Sequence, residues 1–278
     1  MDDSTLSLIQ RALQEDIGPG DVTSRYFLTD HLRSTAQLVA REPGIAYGVE
    51  VAETVFHQVD PDLTLRRLVN DGQTFAAGDV LMEVAGRTRS LLTAERTALN
   101  FIQHLSAIAT QTAAYVRAVQ PHPVQVWDTR KTTPGWRSLE KAAVKAGGGV
   151  NHRHGLYDAV MVKDNHLAAN GTLETLQQGI DAVRATHPGM RVQIEAATLE
   201  QLSAFLTLRG VDMILLDNMT PATLREAVRI NAGRLWLEAS GGITLSSIGD
   251  FAATGVNAIS VGALTHTVRA LDLALDIP

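Results

Sequence analysis

The second half of the chain alternates short β-type runs with helical runs. The β-type runs are 124–128, 159–164, 191–195, 212–217, 234–239 and 257–262. Strand-end residues recur at a spacing of 22 or 23 positions in the last four units: Glu195, Asp217, Ser240 and Gly262. A strand, a helix and a second strand in this rhythm form a parallel βαβ unit, and several units in a row favour a barrel over an open sheet.

A local excess of positive charge precedes these units. Residues 128–163 contain seven Lys or Arg against three carboxylates, a net charge of +4, whereas the whole chain carries −6. A cationic island in an acidic protein predicts a site for a small polyanion, because nucleic-acid binders are more often basic over a broad face. For Lys141 and Lys145 the pattern favours a solvated helix face instead.

Composition excludes several kinds of chemistry. The chain has 278 residues, of which 45% are hydrophobic and 19% charged, as in ordinary soluble globular proteins. It has no cysteine, which removes disulfides, thiolate nucleophiles, iron–sulfur clusters and Cys-ligated zinc. The beginning, MDDSTLSLIQ, lacks the features of a signal peptide, and no apolar run reaches membrane-spanning length. We therefore expect a cytoplasmic protein.

The first half predicts a smaller domain. Helical spacing covers residues 4–15 and 48–58, and strand alternation covers 35–41 and 63–69. Turn residues and a strand follow over 70–86, which loosely resembles the hairpin of a biotinyl or lipoyl carrier domain. That interpretation fails because the stretch contains no lysine to modify. Residues 90–119 predict one long helix or two, with the domain boundary inside.

Carboxylates at strand ends predict a catalytic edge. In βα barrels the functional groups lie where strands end, and Lys163, Glu195 and Asp217 stand at such positions. Two carboxylates without Cys or paired His suit a hard cation such as Mg²⁺, which keeps waters and bridges to phosphate. The alternative for each carboxylate is a structural ion pair at the barrel mouth.

Glycines after the last two strands predict a phosphate cradle. Ser240-Gly241-Gly242 follows one strand and precedes Thr244, a predicted helix cap, and Gly262-Ala263 repeats this arrangement one unit later. Glycine lets backbone N–H groups approach an anion, and a helix N-terminus favours negative charge. The alternative is ordinary αβ turn chemistry.

The histidines do not have the spacing of a zinc site. His152 beside Arg153 is interpreted as an anion ligand, and His154 as a packing residue. The role of His166 stays open, and His104 is interpreted as a polar residue on the face of the long helix.

Several long motifs resemble one family. They are LQEDIGPGDVTS (13–24), LLTAERTALNFIQHLS (91–106), DTRKTTPGWRSLEKAAVKAGGGVNHRHGLYD (128–158), KDNH (163–166), LLDNM (215–219), EASGGI (238–243) and ISVGALTH (259–266). By these motifs the chain resembles the quinolinate phosphoribosyltransferase family along nearly its whole length.

The resemblance implies an α/β fold of type II phosphoribosyltransferase-like architecture. An N-terminal α/β sandwich domain (1–108) would join a C-terminal incomplete, open α/β barrel (109–278), with residues 268–278 packing back on the N-terminal domain. The implied reaction converts quinolinate and phosphoribosyl pyrophosphate (PRPP), with Mg²⁺, to nicotinate mononucleotide, pyrophosphate and CO₂ in NAD biosynthesis. The implied assembly is a homodimer or a higher oligomer.

The resemblance also implies residue roles. Lys131, Lys163, Glu195 and Asp217 would be catalytic, and Glu195 and Asp217 would bind Mg²⁺ through PRPP. Quinolinate and pyrophosphate would be held by Arg130, Lys131, His152, Arg153 and Lys163, with Thr129 contributing from the same segment. Arg96 would reach in from the partner subunit. The 5′-phosphate would be cradled by Ser240, Gly241, Gly242, Val261, Gly262 and Ala263.

Three positions depart from the family pattern. Gln193 stands where the family often has the first Glu of Glu-Val-Glu, Ala107 replaces a common Gly, and His154 replaces an apolar residue. These departures leave open a paralogue that uses PRPP with a different acceptor. The Arg130, Arg153 and Lys163 set favours a dicarboxylate acceptor. A third alternative, a non-enzymatic phosphate-ligand binder, is disfavoured because Glu195 and Asp217 are both present.

Overall fold

The computed structural model describes residues 1–278, apart from the side chain of Asn170. The helices are α1 (Asp3–Ile17), α2 (Val22–Phe27), α3 (Val49–Val59), α4 (Thr88–Ala118), α5 (Arg137–Ala146), α6 (Asp164–Asn170), α7 (Leu173–Thr186), α8 (Leu199–Phe205), α9 (Pro221–Asn231), α10 (Ile248–Ala252) and α11 (Ala263–His266). The strands are β1 (Arg33–Ala40), β2 (Gly44–Ile45), β3 (Thr64–Arg67), β4 (Thr74–Phe75), β5 (Val80–Arg87), β6 (Gln125–Trp127), β7 (Val160–Val162), β8 (Val192–Ala196), β9 (Met213–Asp217), β10 (Trp236–Ser240), β11 (Ala258–Ser260) and β12 (Leu273–Asp276).

The first compact unit is an α/β unit built on an antiparallel sheet. It comprises Met1–Ala113, Thr132–Gly148 and Thr265–Pro278. Its four strands lie in the order β12-β1-β5-β3, and β12 brings the end of the chain into the same sheet as β1. The strands predicted over 35–41, 63–69 and 80–86 are confirmed as β1, β3 and β5. The predicted boundary between residues 108 and 109 stays a prediction.

Helix α4 is continuous over 31 residues, so the two-helix alternative is wrong. Its first part carries fully buried apolar residues at helical spacing, among them Ala98, Ile102 and Leu105. No Gly or Pro interrupts the run, which explains why nothing breaks the hydrogen-bond ladder. The helix passes from the first unit into the second.

Helix α5 corrects one expectation about the cationic stretch. Lys141 is only 2% exposed, so its assignment to a solvated face is wrong, whereas Lys145 is exposed as predicted. The neighbouring Glu140 is fully buried, where it lies 2.9 Å from His104 Nε2 and accepts the Thr133 N–H at 3.1 Å. Charge counting alone misses such burial, because a polar group can be buried when it has hydrogen-bond partners.

The second unit is built on a parallel sheet. It comprises Ala114–Lys131 and Gly149–Leu264, and its six strands lie in the order β6-β11-β10-β9-β8-β7. Each β-type run of the sequence becomes one of these strands, and all their pairings are parallel. β6 and β7 stand at the two edges of the sheet. The predicted α/β class, an N-terminal sheet domain followed by an incomplete parallel barrel, is confirmed.

Capping residues begin the helices on this sheet where the sequence predicts them. The Thr198 side chain accepts the Gln201 N–H at the start of α8, and Thr220 caps α9 with Pro221 in its first turn. The helix after β10 differs, because α10 begins at Ile248 with Ser247 at its N-cap, so the predicted cap at Thr244 is wrong. Thr244 instead forms a local hydroxyl cluster with Ser246 and Ser247.

Among the described residues, every helix is too short or too polar to cross a lipid bilayer.

Candidate active site

The carboxyl ends of the parallel strands gather the predicted strand-end residues of the second unit. Ser240 pairs in register with Asp217 on one side and with Ser260 on the other. Glu195 lies one position before the end of β8, and Lys163 follows β7 as the N-cap of α6. The carboxyl ends of parallel strands lie together at one end of the sheet, which we call the carboxyl edge. These residues therefore gather at the carboxyl edge.

A lysine and a carboxylate form the charged pair of this edge. Lys163 Nζ donates to Glu195 Oε2 at 2.7 Å; the Glu195 side chain is 9% exposed and that of Lys163 is 45% exposed. The Lys163 backbone N–H donates to His166 Nδ1 at 3.0 Å, which fixes the turn into α6. The lysine is therefore anchored at its backbone while its ammonium faces a nearly buried carboxylate.

Asp217 is the second carboxylate of the edge. Burial, followed by the negative charge of Glu195, raises the pKa of Asp217 above its ordinary value. Asn218 Nδ2 donates to Asp217 Oδ2 at 2.6 Å. A cation bound near Asp217 would favour its ionised form, so this carboxylate can contribute to a cation site.

Asn218 is a site residue that the sequence analysis did not identify. Its backbone has φ +55°, and its N–H donates to the Ser240 carbonyl at 2.9 Å. It links the ends of β9 and β10 while its side chain holds Asp217. Asn tolerates the left-handed region better than most residues, so an Asn directly after a strand-end Asp was a usable signal.

The glycine segment after β10 is shaped by the same asparagine. Gly241 has φ +102° and Gly242 has φ +63°. A Cβ on Gly241 would lie 2.1 Å from Asn218 Oδ1 and 2.9 Å from its backbone N. Glycine at 241 is therefore required both by backbone conformation and by close approach. The helices that follow, α10 and α11, have five and four residues, and α11 begins at Ala263. The contribution of a helix N-terminus to anion binding stays a prediction.

The segment after β6 lies beside the segment after β11. Trp127 pairs with Ser260, and the Val261 N–H donates to the Trp127 carbonyl at 2.9 Å. Thr129 Oγ1 accepts the Lys131 N–H at 3.0 Å. Arg130 and Thr129 are half-buried and Lys131 is exposed. Register thus brings the Thr129 segment next to Val261, Gly262 and Ala263.

His152 and Arg153 are held more deeply. Both side chains are buried, and Arg153 Nη1 donates to the Ala159 carbonyl at 3.0 Å. Burial, then the positive charge of Arg130, lowers the pKa of Arg153. The two guanidinium groups therefore act on each other, and an anion between them would relieve their repulsion.

The predicted imidazole ligand is engaged within the protein. His152 Nδ1 accepts the Arg153 N–H at 2.6 Å, and Nε2 lies 3.2 Å from Glu238 Oε2. The imidazole therefore uses both ring nitrogens for protein contacts. His154 Nδ1 lies 3.4 Å from the Tyr157 hydroxyl, on a loop whose N–H groups are held by Asp158.

Arg96 is not on this sheet. It lies exposed on α4 in the first unit, one helical turn after the exposed Leu92.

The donor set bears directly on the predicted metal. Within the described part of the chain, no group of three or more His, Asp and Glu side chains is arranged to hold an ion alone. The negative charge of Glu195 contributes to the raised pKa of Asp217. Mg²⁺ commonly uses one or two carboxylates together with waters and substrate phosphates. These two residues therefore fit a Mg²⁺ ion that arrives with a polyphosphate.

Family comparison assigns both halves of the chain. Residues 21–106 match the quinolinate phosphoribosyl transferase N-terminal domain, and residues 108–276 match the C-terminal domain of the same family.

Curated relatives match over nearly the full length. The chain is 42% identical to the probable nicotinate-nucleotide pyrophosphorylase [carboxylating] of Bacillus subtilis, covering 97% of this chain and 92% of the relative. It is 44% identical to the nicotinate-nucleotide pyrophosphorylase [carboxylating] of Mycobacterium leprae, covering 99% and 98%.

A solved structure gives the same answer. The nicotinate-nucleotide pyrophosphorylase from Francisella tularensis superposes with a TM-score of 0.92 at 37% identity, covering 99% of this chain and 96% of that one. With the sheet edge, the matched domains and these relatives in agreement, the chain belongs to the quinolinate phosphoribosyltransferase family and is a phosphoribosyltransferase.

Proposed function

We propose that this phosphoribosyltransferase transfers the phosphoribosyl group of PRPP to quinolinate with loss of CO₂, a step of NAD biosynthesis, at the carboxyl edge of the six-stranded sheet. The observation that carries the proposal is the Lys163–Glu195 pair beside Asp217, in the same unit as Arg130 and Arg153. This places cations and carboxylates together, as two polyanionic substrates and a divalent ion require.

The Lys and Arg side chains of the site can be divided between the two negatively charged substrates. Quinolinate carries two carboxylates, and guanidinium groups bind carboxylates with two parallel hydrogen bonds. We assign quinolinate to Arg130 and Arg153, and the pyrophosphate of PRPP to Lys131 and Lys163. Thr129 shapes the turn that presents Lys131. His152 acts through Arg153, whose N–H it accepts, since both of its ring nitrogens are occupied.

The phosphate end of PRPP is assigned to the glycine segments. Ser240, Gly241 and Gly242 follow β10, and Val261, Gly262 and Ala263 follow β11. The positive φ angles of the two glycines after Ser240 turn consecutive backbone N–H groups along a tight segment. Backbone N–H groups arranged in this way form concave anion sites.

Glu195 and Asp217 are assigned to the ribose and the metal. Mg²⁺, when bound with PRPP, supplies charge neutralisation for the departing pyrophosphate. Before the substrate binds, the positive charge of Lys163 compensates the negative charge of Glu195. A cation that lies near Asp217 would favour its ionised form, because burial and Glu195 otherwise raise its pKa.

The reaction follows from positioning. The pyridine nitrogen of quinolinate forms a bond to C1 of the ribose while the bond from C1 to the pyrophosphate oxygen breaks. Carboxylates near the ribose stabilise the positive charge that develops there, and Lys131 and Lys163 stabilise the leaving group. The adjacent carboxylate then leaves as CO₂; its bonding electrons stay on the pyridinium carbon, which takes a proton from solvent. No covalent intermediate with the protein is needed.

A product assay tests the function. Purified protein, quinolinate, PRPP and Mg²⁺ should give nicotinate mononucleotide and CO₂ in equal amounts, and chelation of the metal by EDTA should abolish both because the pyrophosphate loses its neutralising cation. Absence of turnover with a PRPP-dependent rise in melting temperature would contradict quinolinate and support a different acceptor. Absence of both would contradict the phosphate cradle as well.

We also propose a homodimer in which Arg96 completes the partner's site. The supporting observation is an apolar surface on the first unit: Val22, Tyr26 and Phe27 on α2 are 66%, 73% and 85% exposed. Large apolar groups exposed together mark interaction sites. The cytoplasmic location and any assembly beyond a dimer stay predictions.

Subunit mixing tests the role of Arg96. Arg96→Ala and Lys163→Met proteins should each be nearly inactive, but a refolded equal mixture should regain about a quarter of wild-type activity, because half of the dimers then hold one intact site of two. Size-exclusion chromatography of tagged subunits would verify exchange. Verified exchange without regained activity would contradict a site shared between subunits.

A further inference from the structure

A cluster of buried polar side chains lies behind the strand-end residues of the parallel sheet. We call Gln193, Glu238, His152 and Asp128 the support cluster. Gln193 precedes Glu195 by two positions on β8, and Glu238 precedes Ser240 by two positions on β10. Residues two apart in a strand point to the same face, so Gln193 and Glu238 lie one step below the site residues.

Glu238 is the centre of the support cluster. It is fully buried, and its Oε2 accepts Gln193 Nε2 at 2.6 Å and lies 3.2 Å from His152 Nε2. Burial by itself would raise the pKa of Glu238, but hydrogen bonds from His152, Ser260 and Gln193 bring it below the ordinary value. Glu238 is therefore an ionised acceptor at neutral pH.

The acceptor fixes the state of His152. Because His152 Nδ1 accepts the Arg153 N–H at 2.6 Å, the proton of the neutral ring is on Nε2, facing Glu238. The Trp127 ring packs edge-on at 5.3 Å. The His152 backbone N–H donates to Asp128 Oδ1 at 2.7 Å. The ring is thus held on both nitrogens and at its backbone.

A continuous path therefore runs from the strands to Arg153. Gln193 orients Glu238, Glu238 sets the His152 tautomer, and His152 accepts the backbone N–H of Arg153. Loss of the acceptor at 238 would free the imidazole to rotate or change tautomer, and the Arg153 backbone would lose its partner. A buried donor left unpaired is costly, so the chain would rearrange there.

We infer that Glu238 and Gln193 are positioning residues for phosphoribosyl transfer, which hold Arg153 in its substrate-binding orientation through His152. The inference rests on the proposed function, in which Arg153 binds quinolinate. Neither residue touches substrate in this assignment. Gln193 supplies a neutral donor to Glu238, a task that a second ionised carboxylate at this position could not perform.

Steady-state kinetics separate positioning from a merely structural role. Glu238→Ala should raise KM for quinolinate roughly tenfold or more while kcat changes by less than about threefold, since the loss of one buried acceptor corresponds to such a factor in binding. Gln193→Met, which keeps the side-chain length and removes the donor, should raise KM less. A structural role predicts fewer active molecules, hence lower apparent kcat with unchanged KM.

A matched pair of variants provides the rescue. Gln193 Nε2 and His152 Nε2 both contact the same oxygen of Glu238, Oε2. In Glu238→Gln an amide oxygen at this place can accept from both groups, so KM for quinolinate should stay within about threefold of wild type. Glu238→Met keeps the side-chain length but offers no such acceptor, so its KM should rise as in Glu238→Ala. This pair also decides the matter if Glu238→Ala does not fold.

Two references complete the experiment. Gln125→Glu is the control, because Gln125 is exposed and its Oε1 only accepts the Trp127 Nε1–H, which a carboxylate can also accept. Arg153→Ala shows whether Arg153 binds quinolinate at all. If Arg153→Ala raises KM while Glu238→Ala and Glu238→Met leave it unchanged, the inference is overturned and the proposed function stands. If Arg153→Ala leaves KM unchanged, the substrate assignment of Arg153 fails and takes the inference with it.

Discussion

Lys163→Met should lower kcat/KM by roughly 30- to 5,000-fold, the equivalent of about 2 to 5 kcal/mol for truncating one partner of a close charge pair. Lys163 Nζ lies 2.7 Å from the nearly buried Glu195 carboxylate. Removing the ammonium leaves Glu195 unbalanced beside Asp217, whose pKa burial and Glu195 already raise. It also removes a cation assigned to pyrophosphate. Initial rates over both substrate concentrations measure the loss.

The loss should be confined to activity. The Lys163 side chain is 45% exposed, so solvent screens most of its contribution to folding, and the melting temperature should change little. Lys145→Met on α5 is the matched control, because Lys145 is exposed and outside the sheet edge; its kcat/KM should equal that of wild type. A Lys163→Met protein with near wild-type kcat/KM would remove Lys163 from the site.

Gly241→Ala should lower kcat/KM for PRPP by about a hundredfold or more, because an added methyl group meets strain and a clash together. A non-glycine residue at φ +102° costs of order 1–3 kcal/mol. The methyl carbon would lie 2.1 Å from Asn218 Oδ1 and 2.9 Å from the Asn218 backbone N. Asn218 cannot move freely, since it bonds Asp217 and the Ser240 carbonyl. The substitution therefore disturbs the cradle and the carboxylate at once.

Two other glycines separate the clash from the backbone strain. Gly242 has φ +63° and nothing lies within 4 Å of an added Cβ, so Gly242→Ala adds backbone strain without a clash. This strain should lower transition-state stabilisation by only about 1–2 kcal/mol. Gly72, at φ +87° with open space around it, belongs to the first unit, and Gly72→Ala should leave kcat/KM unchanged. Equal effects of Gly241→Ala and Gly242→Ala would contradict the role of the Asn218 contact.

The sequence predicted the strands of the second unit well because they carry two signals at once. Each run is apolar and short, and the runs at 191–195 and 212–217 are followed by the helix signals Thr198 and Thr220-Pro221. Local signals failed at Thr244 and at Lys141. Thr244 looked like a helix cap, yet neighbouring hydroxyls form a separate turn. Lys141 looked solvated, yet it is buried on α5.

The candidate site divides in the same way. Lys163, Glu195 and Asp217 could be named because strand ends in a βα repeat are functional positions. Glu238 could not, because a carboxylate in mid-strand has no local signal for its partners. Gln193 was noticed only as a departure from the family pattern, and its 2.6 Å hydrogen bond to Glu238 gives it a structural reason.

The sequence by itself determined the repeat of strands and helices, the residues at the strand ends and the family, since hydrophobic period, turn residues and motifs are properties of adjacent positions. The tertiary structure alone decided which charged side chains are paired with an opposite charge, which tautomer His152 adopts and why residue 241 must be glycine. Those outcomes depend on distances between residues that are 20 to 90 positions apart in the chain, such as His152 and Glu238, 86 positions apart. Only folding brings their charges and hydrogen-bonding groups within a few ångströms, where their interaction energies become large.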